Sequence, residues 1–331
     1  MTALRVLFAG TPDVALPTLD LLLADARFEV VAVLTNPDRP RGRSGRPEAS
    51  PVAERARERG LPLLQPERPA DDLERIVATG AQVGAVVAYG ALLPARLLEA
   101  LPLGFVNLHF SLLPRWRGAA PVQHAIRAGD TTVGASVFRL DAGMDTGPLL
   151  RASERPLPND VDAGELLDLL AHEGAPLLVD GLLALAAGEE PRPQPSDGAT
   201  LAPKLGPQDA SIDWSRDAAE VARAIRSVTP RPGAYTFLGP DRLKVAGAHV
   251  VEIAADGEAG TTSGTIPGTI PGTIPGTIGI VDAGVVVACA DGGVRLDRVQ
   301  FPGRPWTAAF DQVRGRRLAQ GMVLGPTASS P

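Results

Sequence analysis

Apolar runs, most of them nearly unbroken, recur through the first 140 residues of this chain, and helical patterns separate them. The runs are LRVLFAG from Leu4, FEVVAVLTN from Phe28, VGAVVAY from Val83, GFVNLH from Gly104 and GASVFRL from Gly134. A strand with one wet face alternates apolar and polar residues, whereas a strand covered on both faces reads as a continuous apolar run. Between these runs, DVALPTLDLLLADA, SPVAERARERG and ALLPARLLEAL have helical spacing, with Gly60 placed to stop the second. The βαβ rhythm predicts an α/β domain on a doubly wound, mostly parallel sheet. Ligands in such folds sit beyond the carboxyl ends of the strands.

One of those strand ends carries chemistry. In NLHFSLLPRWRGAAPVQ, from Asn107 to Gln123, Asn107 and His109 are two apart and project from the same face of a strand. Downstream, DAGMDTG supplies Asp145. An amide can hold the oxyanion that develops on a carbonyl, and an imidazole can manage the proton that an attacking amine must lose. A carboxylate can orient and charge-stabilise that imidazole. Together they suit acyl transfer to an amine.

Several other classes are disfavoured. The first strand-to-helix turn, AGTPD, lacks G-x-G-x-x-G, so no glycine run lets a pyrophosphate approach the backbone. Gly10 in that turn stays open between close ligand approach and a purely structural turn. The four histidines, His109, His124, His172 and His249, lack metal-ligand spacing and the only cysteine is Cys289, so no metal is expected. A single cysteine also fits a reducing, cytoplasmic setting. MTALRVLFAGTPD does not resemble a signal peptide, and no apolar stretch is expected to reach the roughly 18 residues of a membrane span.

The formal net charge of −6 argues against indiscriminate nucleic-acid binding, because phosphate attraction is the sequence-independent part of such affinity. The chain after Gly206 carries 12 basic and 12 acidic residues, so the acidic excess lies before it. Two basic clusters stand out: Arg39, Arg41, Arg43 and Arg46 in one loop, and Arg295, Arg298, Arg304, Arg314, Arg316 and Arg317 near the carboxyl end. Alone, either cluster reads as a solvated surface.

After a helical region ending at Gly188, residues 189–208 are rich in proline and small polar residues, as a semi-rigid linker would be. An amphipathic helix is expected near Ser215, followed by short β-like runs and Gly-rich turns that predict a small OB-like antiparallel β-barrel over residues 209–320, with 321–331 as a tail. Within it, GTIPGTIPGTIPGTI from Gly264 to Ile278 has a period too short for a solenoid and prolines that obstruct a ladder. It is expected to be a mobile, passive loop, with only its final PGTIGIV continuing into a strand.

Taken together, FAGTPD, PDRPRGR, VVAYG, NLHFSLLPRWRGAAPVQ and GMDTG, with the later IDW segment, resemble the methionyl-tRNA formyltransferase family over nearly the whole chain. SLLP alone marks the wider group of formyltetrahydrofolate-using enzymes. The resemblance implies a Rossmann-like catalytic domain, here residues 1–188, that moves a formyl group from 10-formyltetrahydrofolate to the α-amine of methionine on initiator tRNA. A monomer without membrane association is expected. By the same resemblance, Asn107 bonds the formyl oxygen, His109 stabilises the tetrahedral intermediate or passes its proton, and Asp145 orients His109 and assists proton removal. Ser111, Leu112, Leu113 and Pro114 resemble the folate-binding loop, and Arg43, with Arg39 and Arg41, resembles the arginine-rich loop that approaches the tRNA acceptor end. Arginine suits that task because it pairs with phosphate and stacks on bases.

Two features stay open. Arg115 and Arg117 reach either acidic or phosphate groups or a structural ion pair. Phe110 stands where related enzymes often carry a small residue or proline, and it either narrows the site or packs behind it. Among other activities, a hydrolase releasing formate or a transferase to a sugar or nucleotide amine would use the same three groups. The basic loop and second domain favour tRNA.

Overall fold

The computed structural model describes residues 2–40, 45, 47–253, 265–266, 274–281 and 284–325. They group into two compact units: Met1–Pro121 with Thr132–Pro156 and Leu167–Pro203, and Val122–Thr131 with Leu157–Leu166 and Lys204–Pro331.

The first unit is built on strands β1 (Leu4–Gly10), β2 (Phe28–Leu34), β3 (Leu63–Leu64), β4 (Val83–Val87), β5 (Phe105–His109), β6 (Thr132–Arg139) and β7 (Leu149–Pro156). They form one sheet in the order β3-β2-β1-β4-β5-β6-β7. The first five are parallel, and β6 and β7 are antiparallel. Every residue of β4 is buried, as is every residue of β1 but Arg5, which is why these segments read as apolar runs. Strand β7 was not among the expected strands. It alternates buried or half-buried with exposed positions along LLRASERP, the pattern of an antiparallel edge strand with one wet face.

Close packing fixes the strand that carries the candidate site. A Cβ on Gly84 of β4 would lie 2.1 Å from the Phe105 ring of β5, so only glycine lets that ring lie flat against its neighbour. On helix Ala163–Ala186, Gly174 and Gly181 let the helix approach Leu108 of β5 and Val137 of β6. Fully buried side chains such as Phe105 and Leu108 each contribute on the order of 1.5–3 kcal/mol.

The expectation that no segment has membrane-spanning length needs correction. Helix Ala163–Ala186 has 24 residues and an 18-residue window of mean hydropathy 1.4. Half of that window is buried within the protein, the usual state of a core helix. The second helical pattern behaves as expected: Ser50 caps Pro51–Glu58 by accepting from the Ala53 N–H, and Gly60 ends it at φ +65°.

Residues 189–208 are also not a simple linker. Up to Pro203 they belong to the first unit, and Arg192 and Leu201 form β-bridges with Leu149 and Arg117. Proline and glycine prevent a regular element there, yet the main-chain groups of Arg192, Thr200 and Ala202 still pair with the rest of the unit.

The second unit contains β8 (Tyr235–Leu238), β9 (Asp241–Ile253), β10 (Ile278–Val281), β11 (Gly284–Ala288) and β12 (Gly293–Gln300), ordered β8-β9-β12-β11-β10 and all antiparallel. Helix Ala218–Ser227 buries Ala218, Val221, Ala222 and Ile225 into a core with Trp214, Leu243, Val245 and Val299. It starts three residues after Ser215, because Asp213 holds Ser215 in a turn and Asp291 accepts the Ala218 N–H. The tail boundary also moves. Val323 bridges to Thr277 just before β10, and Gly325 pairs with Phe237 of β8, so residues 321–325 join the two edges of the sheet. Most of the GTIP repeat lies outside the described residues. Thr265–Ile266 forms a two-residue strand beside β9, and the final repeat enters β10 at Ile278.

Candidate active site

Asn107 and His109 occupy the third and fifth positions of β5, at the carboxyl end of the parallel set. Val86 and Phe138 flank Asn107 in the ladder, and Ser136 lies opposite His109. Asn107 is half-buried and its amide has no hydrogen-bond partner among the described residues. His109 is buried, with the Phe138 ring edge-on at 6.4 Å.

The two nitrogens of His109 have different surroundings. Nε2 lies 2.9 Å from the Trp116 carbonyl, and because a carbonyl only accepts, Nε2 must carry the hydrogen. In the neutral ring Nδ1 is therefore unprotonated, and it faces Asp145 Oδ2 at 3.7 Å. Burial holds the His109 pKa below its usual 6.5, outweighing the Asp145 carboxylate and the Trp116 carbonyl, which favour the charged ring. At neutral pH the imidazole is uncharged, and a proton that it captured would enter at Nδ1 beside a carboxylate.

Asp145 is held from both ends. Its Oδ2 accepts the Gly118 N–H at 2.7 Å, and its backbone has φ +52° in a loop that Asp141 ties together through the Gly143 N–H and the Thr146 hydroxyl. Trp116, the residue that offers its carbonyl to His109, likewise has a positive φ of +61°. Such a backbone costs a bulky residue energy and persists only where the surroundings fix it. Sequence reading did not single out this use of Trp116, since a main-chain carbonyl leaves no mark in a residue pattern.

The loop after β5 is anchored from below. The Ser136 hydroxyl donates to the Ser111 carbonyl and accepts the Leu113 N–H, while the Ser111 hydroxyl donates to the Arg115 carbonyl. Ser111 and Leu113 are buried, whereas Leu112 and Pro114 are half-exposed. The Leu113–Pro114 peptide is cis. Phe110 is buried, at 7% exposure. The Arg117 guanidinium donates to the neutral Gln194 amide oxygen at 2.6 and 3.2 Å. Arg115 stacks over the Trp116 ring at 4.4 Å. Gly10 packs tightly against Ala15, Phe8 and Val87, which favours the structural turn.

Of the arginine-rich loop, Arg41 and Arg43 lie outside the described residues. Arg39 is exposed in a two-residue strand paired with Pro47–Glu48, and it meets the equally exposed Glu67 at 3.3 Å. In the second unit, Arg298, Arg314 and Arg317 lie over Trp306, Phe310 and Phe301, and Arg242 lies over Tyr235 at 3.7 Å.

Comparison with known proteins gives a consistent pattern. The family model described as Formyl transferase matches residues 4–182, and that described as Formyl transferase, C-terminal domain, matches residues 204–317. The methionyl-tRNA formyltransferase of Acidothermus cellulolyticus is 47% identical over 96% of this chain and 99% of that relative. That of Mycobacterium avium is 46% identical over 95% and 97%. Among solved structures, methionyl-tRNA formyltransferase from Clostridium thermocellum superposes with a TM-score of 0.52 at 16% identity, over 74% of this chain and 93% of that one. HypX from Aquifex aeolicus in complex with tetrahydrofolic acid gives 0.65 at 14% identity, over 96% and 48%.

Proposed function

Since this chain belongs to the methionyl-tRNA formyltransferase family and formylates the α-amine of methionine on initiator tRNA, we propose that Asn107, His109 and Asp145 carry that transfer. The donor is a folate-derived formyl carrier, and 10-formyltetrahydrofolate is the form proposed. The carrying observation is the buried, neutral His109, with Nε2–H committed to the Trp116 carbonyl and Nδ1 turned toward Asp145.

The residues divide the work as follows. Asn107 donates its amide N–H to the formyl oxygen, which takes up negative charge as the amine nitrogen bonds to the formyl carbon. His109 accepts the proton lost by that nitrogen at Nδ1, and Asp145 stabilises the imidazolium that results. When the carbonyl re-forms and the bond to the donor nitrogen breaks, His109 returns the proton to that leaving nitrogen. Charge and atoms balance, and the imidazole ends neutral.

Ser111, Leu112, Leu113 and Pro114 are proposed to line the folate site. The half-exposed Leu112 and Pro114 offer apolar surface, while Ser111 and Leu113 shape the loop from inside. Arg39, Arg41 and Arg43 are proposed to contact tRNA phosphates near the acceptor end. Support comes from their clustering and from Arg39, whose exposed ion pair is worth little and is easily exchanged. The proposed enzyme acts as a cytoplasmic monomer.

The test is to mix the protein with 10-formyltetrahydrofolate and methionine-charged initiator tRNA and to separate formyl-methionyl ester from free formate. Ester is the expected product. Formate alone would identify a hydrolase and overturn the proposal.

A further inference from the structure

The stretch from Arg192 to Ala202 runs back along the candidate active-site loops and hydrogen-bonds to both of them. Gln194 Nε2 donates to the carbonyls of Asp145 and Gly147, each at 2.8 Å, and its Oε1 accepts from Arg117. The amide thus uses both donors and its acceptor, gripping the two sides of Thr146. Six residues on, Thr200 Oγ1 accepts the Trp116 N–H at 2.9 Å, and its carbonyl accepts the Arg117 N–H. Ala202 accepts from Ala120 and donates to Arg117.

These contacts fall on the two residues that define His109. Trp116 provides the carbonyl that fixes its tautomer, and Asp145 provides the carboxylate beside Nδ1. Both have positive φ, so neither would hold its place without external bonds. The segment buries little apolar surface: Gln194 and Thr200 are half-exposed and Leu201 is 69% exposed. Its hydrogen bonds therefore act on geometry more than on the stability of the core.

We propose that Gln194 and Thr200 are positioning residues for formyl transfer. Gln194 sets the distance between the Asp145 carboxylate and His109 Nδ1, and Thr200 holds the Trp116 carbonyl that keeps the hydrogen on Nε2. This rests on the reading of His109 and Asp145 as the proton-handling pair.

The test compares Gln194→Ala and Thr200→Val with Thr200→Ser, which keeps the hydroxyl, in steady-state formylation and in pH profiles. Groups that orient reactive side chains from behind typically contribute about 10–100-fold, so kcat should fall by that factor in Gln194→Ala and Thr200→Val, with little change in either KM. Thr200→Ser should recover most of the rate. The acid limb of Gln194→Ala should move to lower pH, because a displaced carboxylate supports the imidazolium less. Unchanged kcat and acid limb in folded variants would overturn the proposal. So would kcat, KM and melting temperature worsening together with Thr200→Ser no better than Thr200→Val. His109→Ala, run in parallel, separates the two failures. If it keeps the wild-type rate, the proton-handling pair is wrong and the positioning role falls with it. If it loses rate while the other variants do not, only the positioning role falls.

Discussion

The Trp116 carbonyl, 2.9 Å from His109 Nε2, decides which nitrogen of the imidazole is free to react. It occupies one side of the ring and leaves Nδ1 to face Asp145 at 3.7 Å. The distance is too long for a hydrogen bond between neutral His109 and ionised Asp145, and it can close once Nδ1 carries a proton.

This arrangement sets a pH dependence. Burial lowers the His109 pKa below 6.5, so the ring stays neutral until the pH falls below that value. Formylation should therefore show an acid limb with a midpoint below 6.5. The Asp145 charge raises the same pKa, so Asp145→Asn should move the limb lower still and slow the reaction. The unfolded chain binds a proton at His109 more readily, so this group's contribution to stability is complete above 6.5 and declines as pH falls from there toward the folded pKa. A single-turnover pH profile with its midpoint at or above 6.5 would remove His109 from the proposed role.

Truncating the amide should act on the chemical step. Removal of one oxyanion donor typically costs about 100–1,000-fold in kcat, and Asn107→Ala should fall in that range. Donor binding measured by titration should persist. A variant with near-normal turnover would show that the formyl oxygen is held elsewhere.

Gly118 should tolerate no side chain. Its φ is +126°, and a Cβ would lie 2.7 Å from the Ala202 carbonyl oxygen. Gly118→Ala should lose about 1–3 kcal/mol in urea unfolding and should also slow formylation, since the same residue donates to Asp145. Equal urea midpoints for variant and wild type would contradict the packing argument.

The arginine loop should affect one substrate only. Arg43→Ala is expected to raise KM for charged tRNA and to reduce the slope of log affinity against log salt by about one, the signature of one lost phosphate contact. Folate binding should not change. Equal weakening toward both substrates would point to misfolding.

Much of this was legible in the sequence, for physical reasons that differ by element. Strands β1 and β4 could be read directly because burial on both faces leaves an unbroken apolar run. Strand β7 could not, because exposed Glu154 and half-buried Arg151 and Arg155 break up its apolar residues. The pleat of a strand places Asn107 and His109 on one face from their spacing alone. The partners of Asp145 and Trp116 were hidden, since Gln194 and Thr200 lie 49 and 84 residues away in a proline-rich stretch with the composition of a linker. Residues 321–325 were hidden for a similar reason, being two isolated bridges and not a strand.

The brace has a consequence for the order in which the site comes into being. In chain order, Arg192–Ala202 is the last part of the first unit, after all seven strands and after Asn107, His109 and Asp145. A nascent chain that has emerged only to residue 188 already holds every group proposed for chemistry, but not the bonds that Gln194 and Thr200 make to Asp145 and Trp116. The site therefore matures as a late event in synthesis, just before the last and longest segment of the second unit begins at Lys204.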